Sequence, residues 1–269
     1  MTKIGIIGGT GVYDPKILTG VAEEQVRTDY GTVKVKLGEY NSTPIVFLPR
    51  HGEGHSIPPH KVNYRANIMA MKKLGVERIL ATGAVGSLNL EMRPGEIVLT
   101  DQFMDFTKNR VQTFFEDGEK GVVHIDVTDP YCLSLRKVLS SAAAAINMPI
   151  KNRGTYVCTE GPRFETPAEI KMYSMLGGDL VGMTSVPEVV LAREAEICYA
   201  IIAMVTNFAA GISPTPLTHA EVLEAMKQNN ENLKKLVIKA IELMPEERDC
   251  DCQNALAELG SLGQGKYIS

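Results

Sequence analysis

The stretch from Gly154 to Glu188, GTYVCTEGPRFETPAEIKMYSMLGGDLVGMTSVPE, places chemically useful side chains at the ends of short elements. Phe164 and Glu165 stand just before a helix start, and Met183 and Thr184 just after a strand. Such positions are where α/β proteins hold ligands. A flat apolar ring, a carboxylate, a thioether and a hydroxyl suit an aromatic heterocycle joined to a sugar. A second set suits an anion. A β-prone run ends in Pro49-Arg50-His51-Gly52-Glu53-Gly54-His55, and a guanidinium offers a planar donor fork to phosphate. The Gly-rich turn around Thr10 and the small-residue loop Gly83-Ala84-Val85-Gly86-Ser87 add backbone N–H groups and a hydroxyl. With Thr184 these make four separate loops that one phosphate-sized anion could join. Each loop also has a plainer reading, as a tight turn or a solvated basic loop.

The elements that must position these groups follow from the pattern. Lys3–Ile7 reads as a buried strand, and Thr32–Leu37 and Pro44–Leu48 as a hairpin. Pro58–Leu74 carries a helical apolar stripe, in which Asn63 and Arg65 fall elsewhere and read as polar contacts or solvated groups. Arg78–Thr82 and Glu96–Thr100 are strands, and Pro130–Asn147 is an Ala-rich helix. The polar stretch Asn109–Val123 reads as a surface excursion. In the central stretch, Thr155–Cys158 and Asp179–Gly182 are strands. Thr166-Pro167-Ala168-Glu169 is a capping box with Pro at the first helical position, and Gly177-Gly178 ends that helix. Val189–Glu196 is helical. Cys198–Thr206 is an apolar strand leading into Asn207-Phe208-Ala209, where an amide can meet a ligand edge. A long helix runs from the capping box at Thr218 to about Leu243, with His219 in its first turn as either a helix-start polar residue or a ligand contact. His124, between apolar neighbours, reads locally as structural.

The chain has 269 residues and a net charge of −4, with 44% hydrophobic and 22% charged residues. That is enough for one α/β domain with a sizeable core. The lack of a dense basic block argues against nucleic acid or an anionic membrane as partner. No run is long and apolar enough to span a bilayer. Met1-Thr2-Lys3 leads straight into a strand, so a signal peptide is not expected and a cytoplasmic location is. Of the five cysteines, Cys132, Cys158 and Cys198 sit in apolar contexts and are expected to pack as small hydrophobes. Cys250-Asp-Cys252 lies in a polar tail and reads as two solvated thiols or as a redox-labile pair. The expected division is a domain over residues 1–245 and a tail over 246–269.

Taken together, Gly5-Ile6-Ile7-Gly8-Gly9-Thr10-Gly11, Arg50-His51-Gly52, Lys61-Val62-Asn63-Tyr64, Gly161-Pro162-Arg163-Phe164 and Gly182-Met183-Thr184 through Glu188 resemble the trimeric purine nucleoside phosphorylase and methylthioadenosine phosphorylase family. The resemblance covers nearly the whole chain. It implies an α/β fold whose mixed, twisted central sheet curls toward a barrel with flanking helices. It implies phosphorolysis of a purine nucleoside in purine salvage, giving free base and ribose 1-phosphate, by a homotrimer or a dimer of trimers. No metal or organic cofactor is implied, inorganic phosphate being a co-substrate. Phosphate would be held by Thr10, Arg50, His51, the Ala84 backbone and Thr184. The nucleoside would meet Phe164, Glu165, Met183, Asn207, Ala209 and His219, with His124 entering a neighbouring subunit's pocket. Asn207, Glu165 and His51 would carry catalysis.

Overall similarity leans to the methylthioadenosine branch, yet the pocket departs from it. That branch has a Ser-Ser pair after the Phe and Asp-x-Asp at the strand end. Here the positions read Glu165-Thr166 and Asn207-Phe208-Ala209, as in 6-oxopurine phosphorylases. Hypoxanthine and guanine offer an N1–H donor to a carboxylate, and O6 and N7 acceptors to an amide. Adenine would set an N1 lone pair against Glu165. An unmatched buried polar pairing costs about 1–3 kcal/mol, one to two orders of magnitude in preference. The resemblance gives His219 to the 5′-hydroxyl, which favours inosine and guanosine over the 5′-methylthio nucleosides that form the alternative reading. Two rivals differ in class. A nicotinamide-dependent reductase needs a third Gly where Asp14 stands, and a non-catalytic purine-binding protein needs no anion site at Arg50-His51.

Overall fold

The computed structural model describes residues 3–8, 18–116, 122–212 and 219–257, with backbone alone for 53 and 219–228. Thr10 lies outside the described residues, and so does the side chain of His219. The chain forms a single α/β domain around a mixed ten-stranded sheet that does not close.

Its centre is parallel. β1 (Lys3–Gly8) lies between β4 (Thr43–Pro49) and β5 (Val76–Ser87), and β10 (Cys198–Phe208) runs along β5 from Cys198↔Arg78 to Phe208↔Ser87. These strands are buried on both faces, which is why they read as near-continuous apolar runs. Along β10, Cys198, Ala200, Ile202 and Met204 enter one core cluster, and Tyr199, Ile201, Ala203 and Val205 the other. Helices α1 (Tyr64–Lys73) and α4 (Ser185–Glu194) pack against each other on one side, and α2 (Leu133–Ala145) and α5 (His219–Glu242) on the other.

The sheet extends outward through antiparallel pairs. β2 (Thr19–Thr28) and β3 (Gly31–Tyr40) pair with each other, and β3 pairs with β4. β2 is almost wholly exposed, so its register rests on pairing and not on a buried face. β6 (Ile97–Leu99) joins β10. On the far side, β9 (Leu180–Gly182) runs antiparallel to the end of β5, followed by β8 (Thr155–Thr159) and β7 (Gln102–Phe106). The outgoing ends of β1, β4, β5 and β10 therefore meet the outgoing ends of β8 and β9, which arrive from the opposite direction. Loops from both halves converge there.

The local signals at this junction are realised. The Thr166 hydroxyl accepts from the Glu169 N–H at 3.2 Å, and a Glu169 oxygen accepts from the Thr166 N–H at 2.8 Å, at the start of α3 (Pro167–Met175). Arg163 adds two N–H donors to the same carboxylate, at 2.9 and 2.7 Å, and holds it at a pKa of about 2 with help from the Thr166 N–H. The expected helix at Pro58–Leu74 instead begins with a 3-10 turn, Pro59–Lys61. Asn63 then caps α1, its side chain accepting from Ala66 N–H at 3.1 Å.

The stretch after β7 is a correction. Phe114 and Phe115 are buried, and Thr113 Oγ1 and the Phe114 N–H both donate to the buried Glu194. Its Arg110 is a buried hub, not part of a surface excursion. Arg110 donates to the carbonyls of Met183 (2.7 Å), Val186 (2.7 Å), Thr159 (3.1 Å) and Glu160 (2.7 Å). One guanidinium thereby fastens the end of β8 to the loop after β9 and to the first turn of α4.

Candidate active site

Of the four anion-type loops, those at Arg50, Ala84 and Thr184 lie side by side, and the turn around Thr10 is outside the described residues. The Arg50 N–H donates to Gly8 O at 3.1 Å, tying the end of β4 to the end of β1. The Arg50 guanidinium then crosses to β5, where Nη1 donates to Thr82 O at 2.8 Å. A Cβ built on the next residue, Gly83, would stand 3.8 Å from Thr184 Oγ1, so Thr184 faces the β5 backbone beside Ala84. Thr184 is the N-cap of α4 and its side chain makes no cap hydrogen bond. Its backbone N–H donates to Tyr156 Oη at 3.4 Å.

The fork of Arg50 is only partly available to an anion. Its Nε and Nη2 donate to the two oxygens of Glu188, both at 2.7 Å. Arg50 and Glu188 are 2% and 0% exposed, and Tyr199 Oη donates a third bond to Glu188 at 2.8 Å. Burial alone would weaken the Arg50 charge, and the Glu188 carboxylate more than reverses this. Of five N–H donors on a guanidinium, the three bonds among the described residues leave one on each Nη. Glu188 and Tyr199 are members of the site that the sequence reading missed. The signal was an isolated acid in the apolar run Val186-Pro187-Glu188-Val189-Val190-Leu191.

His51 is buried, and its Nδ1 donates to Ile57 O at 2.8 Å. A carbonyl only accepts, so Nδ1 carries the proton and Nε2 presents a lone pair. Desolvation, then the nearby Arg50 charge, lowers the pKa of His51 to about 4 from its ordinary 6.5. The unfolded chain therefore takes up this proton at higher pH than the folded one. The stabilisation is complete above pH 6.5 and is lost as pH falls toward 4. The shift is worth a few kcal/mol in order of magnitude. Without phosphate, the melting temperature is expected to fall more steeply across that window for the native protein than for His51→Asn. Parallel slopes would show that His51 does not carry the effect.

On the other side of the junction, Thr159 at the end of β8 donates from Oγ1 to Glu165 Oε1 at 2.6 Å. This sets the carboxylate and leaves Oε2 for a ligand. Phe164 is 45% exposed beside it. A Cβ on Gly161, whose φ is +66°, would come within 2.6 Å of Met183 Sδ. Only glycine both adopts that backbone and lets Met183 lie across the turn. Gly161→Ala is expected to cost about 1–3 kcal/mol of stability and to displace Met183. Thermal unfolding checks this, and an unchanged melting temperature would show that the turn accommodates a side chain.

Asn207 lies at the end of β10 beside Gly86, whose missing side chain makes room for it; a Cβ there would stand 3.1 Å from Asn207 Nδ2. The Thr206 hydroxyl donates to Asn207 Oδ1 at 2.8 Å, and Asn207 Nδ2 donates to Phe208 O at 2.9 Å. The amide is thus oriented, with one Nδ2 N–H left over. Ala209 is buried, its N–H donating to Ser87 O at 2.8 Å. The Asn207 and Glu165 loops border one another. Gly211 packs on the Pro167 ring, and Ala209, Val181 and Ile170 share a core cluster beneath them. His124 is exposed in a segment without regular structure, with no hydrogen bond to the other candidate residues among the described ones.

The phosphorylase superfamily model matches residues 3–242. A relative from Thermococcus kodakarensis, named probable 6-oxopurine nucleoside phosphorylase, is 60% identical over 95% of this chain and 98% of its own. The 6-oxopurine nucleoside phosphorylase of Pyrococcus furiosus is 55% identical over 95% and 98%. Among solved structures, a mutant adenosine/methylthioadenosine phosphorylase from Schistosoma mansoni in complex with methylthioadenosine superposes with a TM-score of 0.90. It is 36% identical, with 97% of this chain and 98% of that chain covered.

Proposed function

This chain belongs to the phosphorylase superfamily, and from that premise we propose that it cleaves the N-glycosidic bond of 6-oxopurine nucleosides with phosphate. Inosine and guanosine are the expected substrates, and the products are free base and ribose 1-phosphate. One observation carries the choice of base: the hydrogen-bond polarity of Glu165 and Asn207. Glu165 keeps an oxygen to accept from N1–H, and Asn207 keeps an N–H to donate toward N7 or O6. Adenine reverses the first of these, setting a lone pair against a carboxylate, and also offers an N6 donor to a donor.

In the proposed reaction, phosphate is held by Thr10, Arg50, His51, the Ala84 backbone and Thr184. The neutral Nε2 of His51 accepts from a phosphate hydroxyl, and Arg50 supplies the N–H groups that Glu188 and Thr82 leave. A phosphate oxygen forms a bond to C1′ as the C1′–N9 bond breaks, and the bonding pair leaves with the purine. The phosphate charge lies close to the cationic sugar, while the Asn207 N–H meets charge gathering at N7 and O6. Met183 lies against the ribose, Phe164 against the base, and His219 reaches the 5′-hydroxyl. No metal or organic cofactor takes part in these steps. A trimer or dimer of trimers would cover the exposed Phe164 and bring His124 to a neighbouring pocket. Among the described residues, no helix is long and apolar enough to cross a membrane.

A turnover panel of inosine, guanosine, adenosine, methylthioadenosine and methylthioinosine, with and without phosphate, tests this reading. Phosphate-dependent release of hypoxanthine and guanine, at least tenfold faster than adenine release, is expected. Faster adenine release would overturn the assignment of the base site. A preference for methylthioinosine would keep the base site and reject the role of His219.

A further inference from the structure

At the start of β10, the strand end opposite Asn207, four thiols meet. Cys132 caps α2, Cys198 opens β10, and Cys250 and Cys252 come from the chain after α5. Their Sγ atoms all lie within 4.8 Å of one another, with Cys198 and Cys250 at 3.3 Å. Cys132, Cys198 and Cys252 are buried and Cys250 partly so. Cys132 and Cys198 are buried as their apolar contexts suggest, whereas the tail pair, read as solvated or redox-labile, is drawn in beside them.

We propose that these four cysteines bind one zinc ion in a closed tetrahedral site that fastens the tail to the core. Zinc–sulfur bonds of about 2.3 Å set the four sulfurs of a tetrahedron roughly 3.8 Å apart. The observed set is close to that cage. Paired disulfides would need only pairwise approach and not a mutual cluster.

The surroundings favour thiolates. Arg193 Nη1 donates to Cys252 Sγ at 3.4 Å. Arg78 is the register partner of Cys198, so it emerges on the same sheet face, and its Nη2 donates to the carbonyls of Glu246 and Glu247. Both guanidinium groups keep a buried nitrogen without a hydrogen-bond partner among the described residues. The N-terminal end of α2 lies at Cys132. Two disulfides would be neutral and would leave this positive environment uncompensated. Four thiolates around a divalent ion carry a net negative charge that it offsets. On binding, each thiol gives its proton to solvent, and no electrons are transferred.

Four protein ligands leave no open position, and the eleven-residue β10 sets the cluster about 30 Å from Asn207 at roughly 3.3 Å per residue. The ion is therefore structural. The resemblance implies no metal, and this site departs from it.

The test uses the full chain, purified anaerobically under reductant. Elemental analysis of the purified protein should give one zinc per chain. After chelation, titration with cobalt(II) should saturate at one equivalent, with sulfur-to-metal charge transfer and the intense visible bands of a tetrahedral site. Zinc should displace the cobalt and raise the melting temperature. Cys252→Ser should abolish the bands, and Arg193→Met should weaken cobalt binding about 10–100-fold with inosine turnover at moderate temperature unchanged. Free thiols that bind neither metal, a weak octahedral cobalt spectrum, or a mass reduced by the hydrogens of two disulfides would each overturn the proposal.

Discussion

An Asn207→Asp variant is expected to lose about 10²–10³ in kcat on inosine, the cost of removing one donor from a site of developing negative charge. The argument rests on how the native amide is held. Its oxygen is fixed by the Thr206 hydroxyl and its nitrogen by the Phe208 carbonyl, leaving one N–H for the proposed contact with the purine. A carboxylate keeps the first bond and loses the other two. Its second oxygen would face the Phe208 carbonyl, acceptor against acceptor, and would face N7 and O6 in the same way. A 6-amino group, by contrast, can donate to it. The ratio of adenosine to inosine kcat/KM should therefore rise, through a fall in the inosine value above all. Because Thr206 and Phe208 fix the loop and not the phosphate, the phosphate KM should move little. Steady-state kinetics on both nucleosides decide the matter, and undiminished inosine turnover would remove Asn207 from the leaving-group role.

The groups that could be read from sequence stand at element ends, where local rules apply. The capping box at Thr166 and Glu169 and the strand exits at Arg50 and Asn207 depend on neighbours a few residues away, and they are where the pattern puts them. What the sequence hid depends on partners far along the chain. Arg50 and Glu188 are separated by 138 residues, and neither marks the other until β4 and α4 are side by side. Arg110 looks solvated in a polar, turn-rich stretch, yet it satisfies four carbonyls that strand ends leave open. β2 escaped notice for the opposite reason. It is exposed and charged, so no alternation of apolar residues betrays it. The four thiols come from three separate segments, and only the packing of the tail against the starts of α2 and β10 makes them one cluster.

Replacing Glu188 by Gln is expected to destabilise the phosphate-free protein by about 3–5 kcal/mol, the usual cost of breaking a buried ion pair by removing one partner. Gln keeps the volume and one acceptor. It cannot receive Arg50 Nε, Arg50 Nη2 and Tyr199 Oη as the carboxylate does, and it leaves a guanidinium charge inside the fold without its counter-ion. Phosphate, in the proposed site, is an anion that can approach that charge. The variant should accordingly gain more in melting temperature from saturating phosphate than the native protein does. The double variant Arg50→Met, Glu188→Leu removes both charges and should recover much of the stability, since apolar replacement of a whole buried pair is often neutral. It should not recover phosphate binding or turnover. This contrast separates the observed duty of Arg50, holding α4 against the sheet, from the proposed one of receiving phosphate. Thermal unfolding of the three proteins with and without phosphate makes the measurement. A Glu188→Gln protein that melts like the native one without phosphate would mean that the pair contributes nothing to the fold, and an equal phosphate response in all three would place the anion away from Arg50.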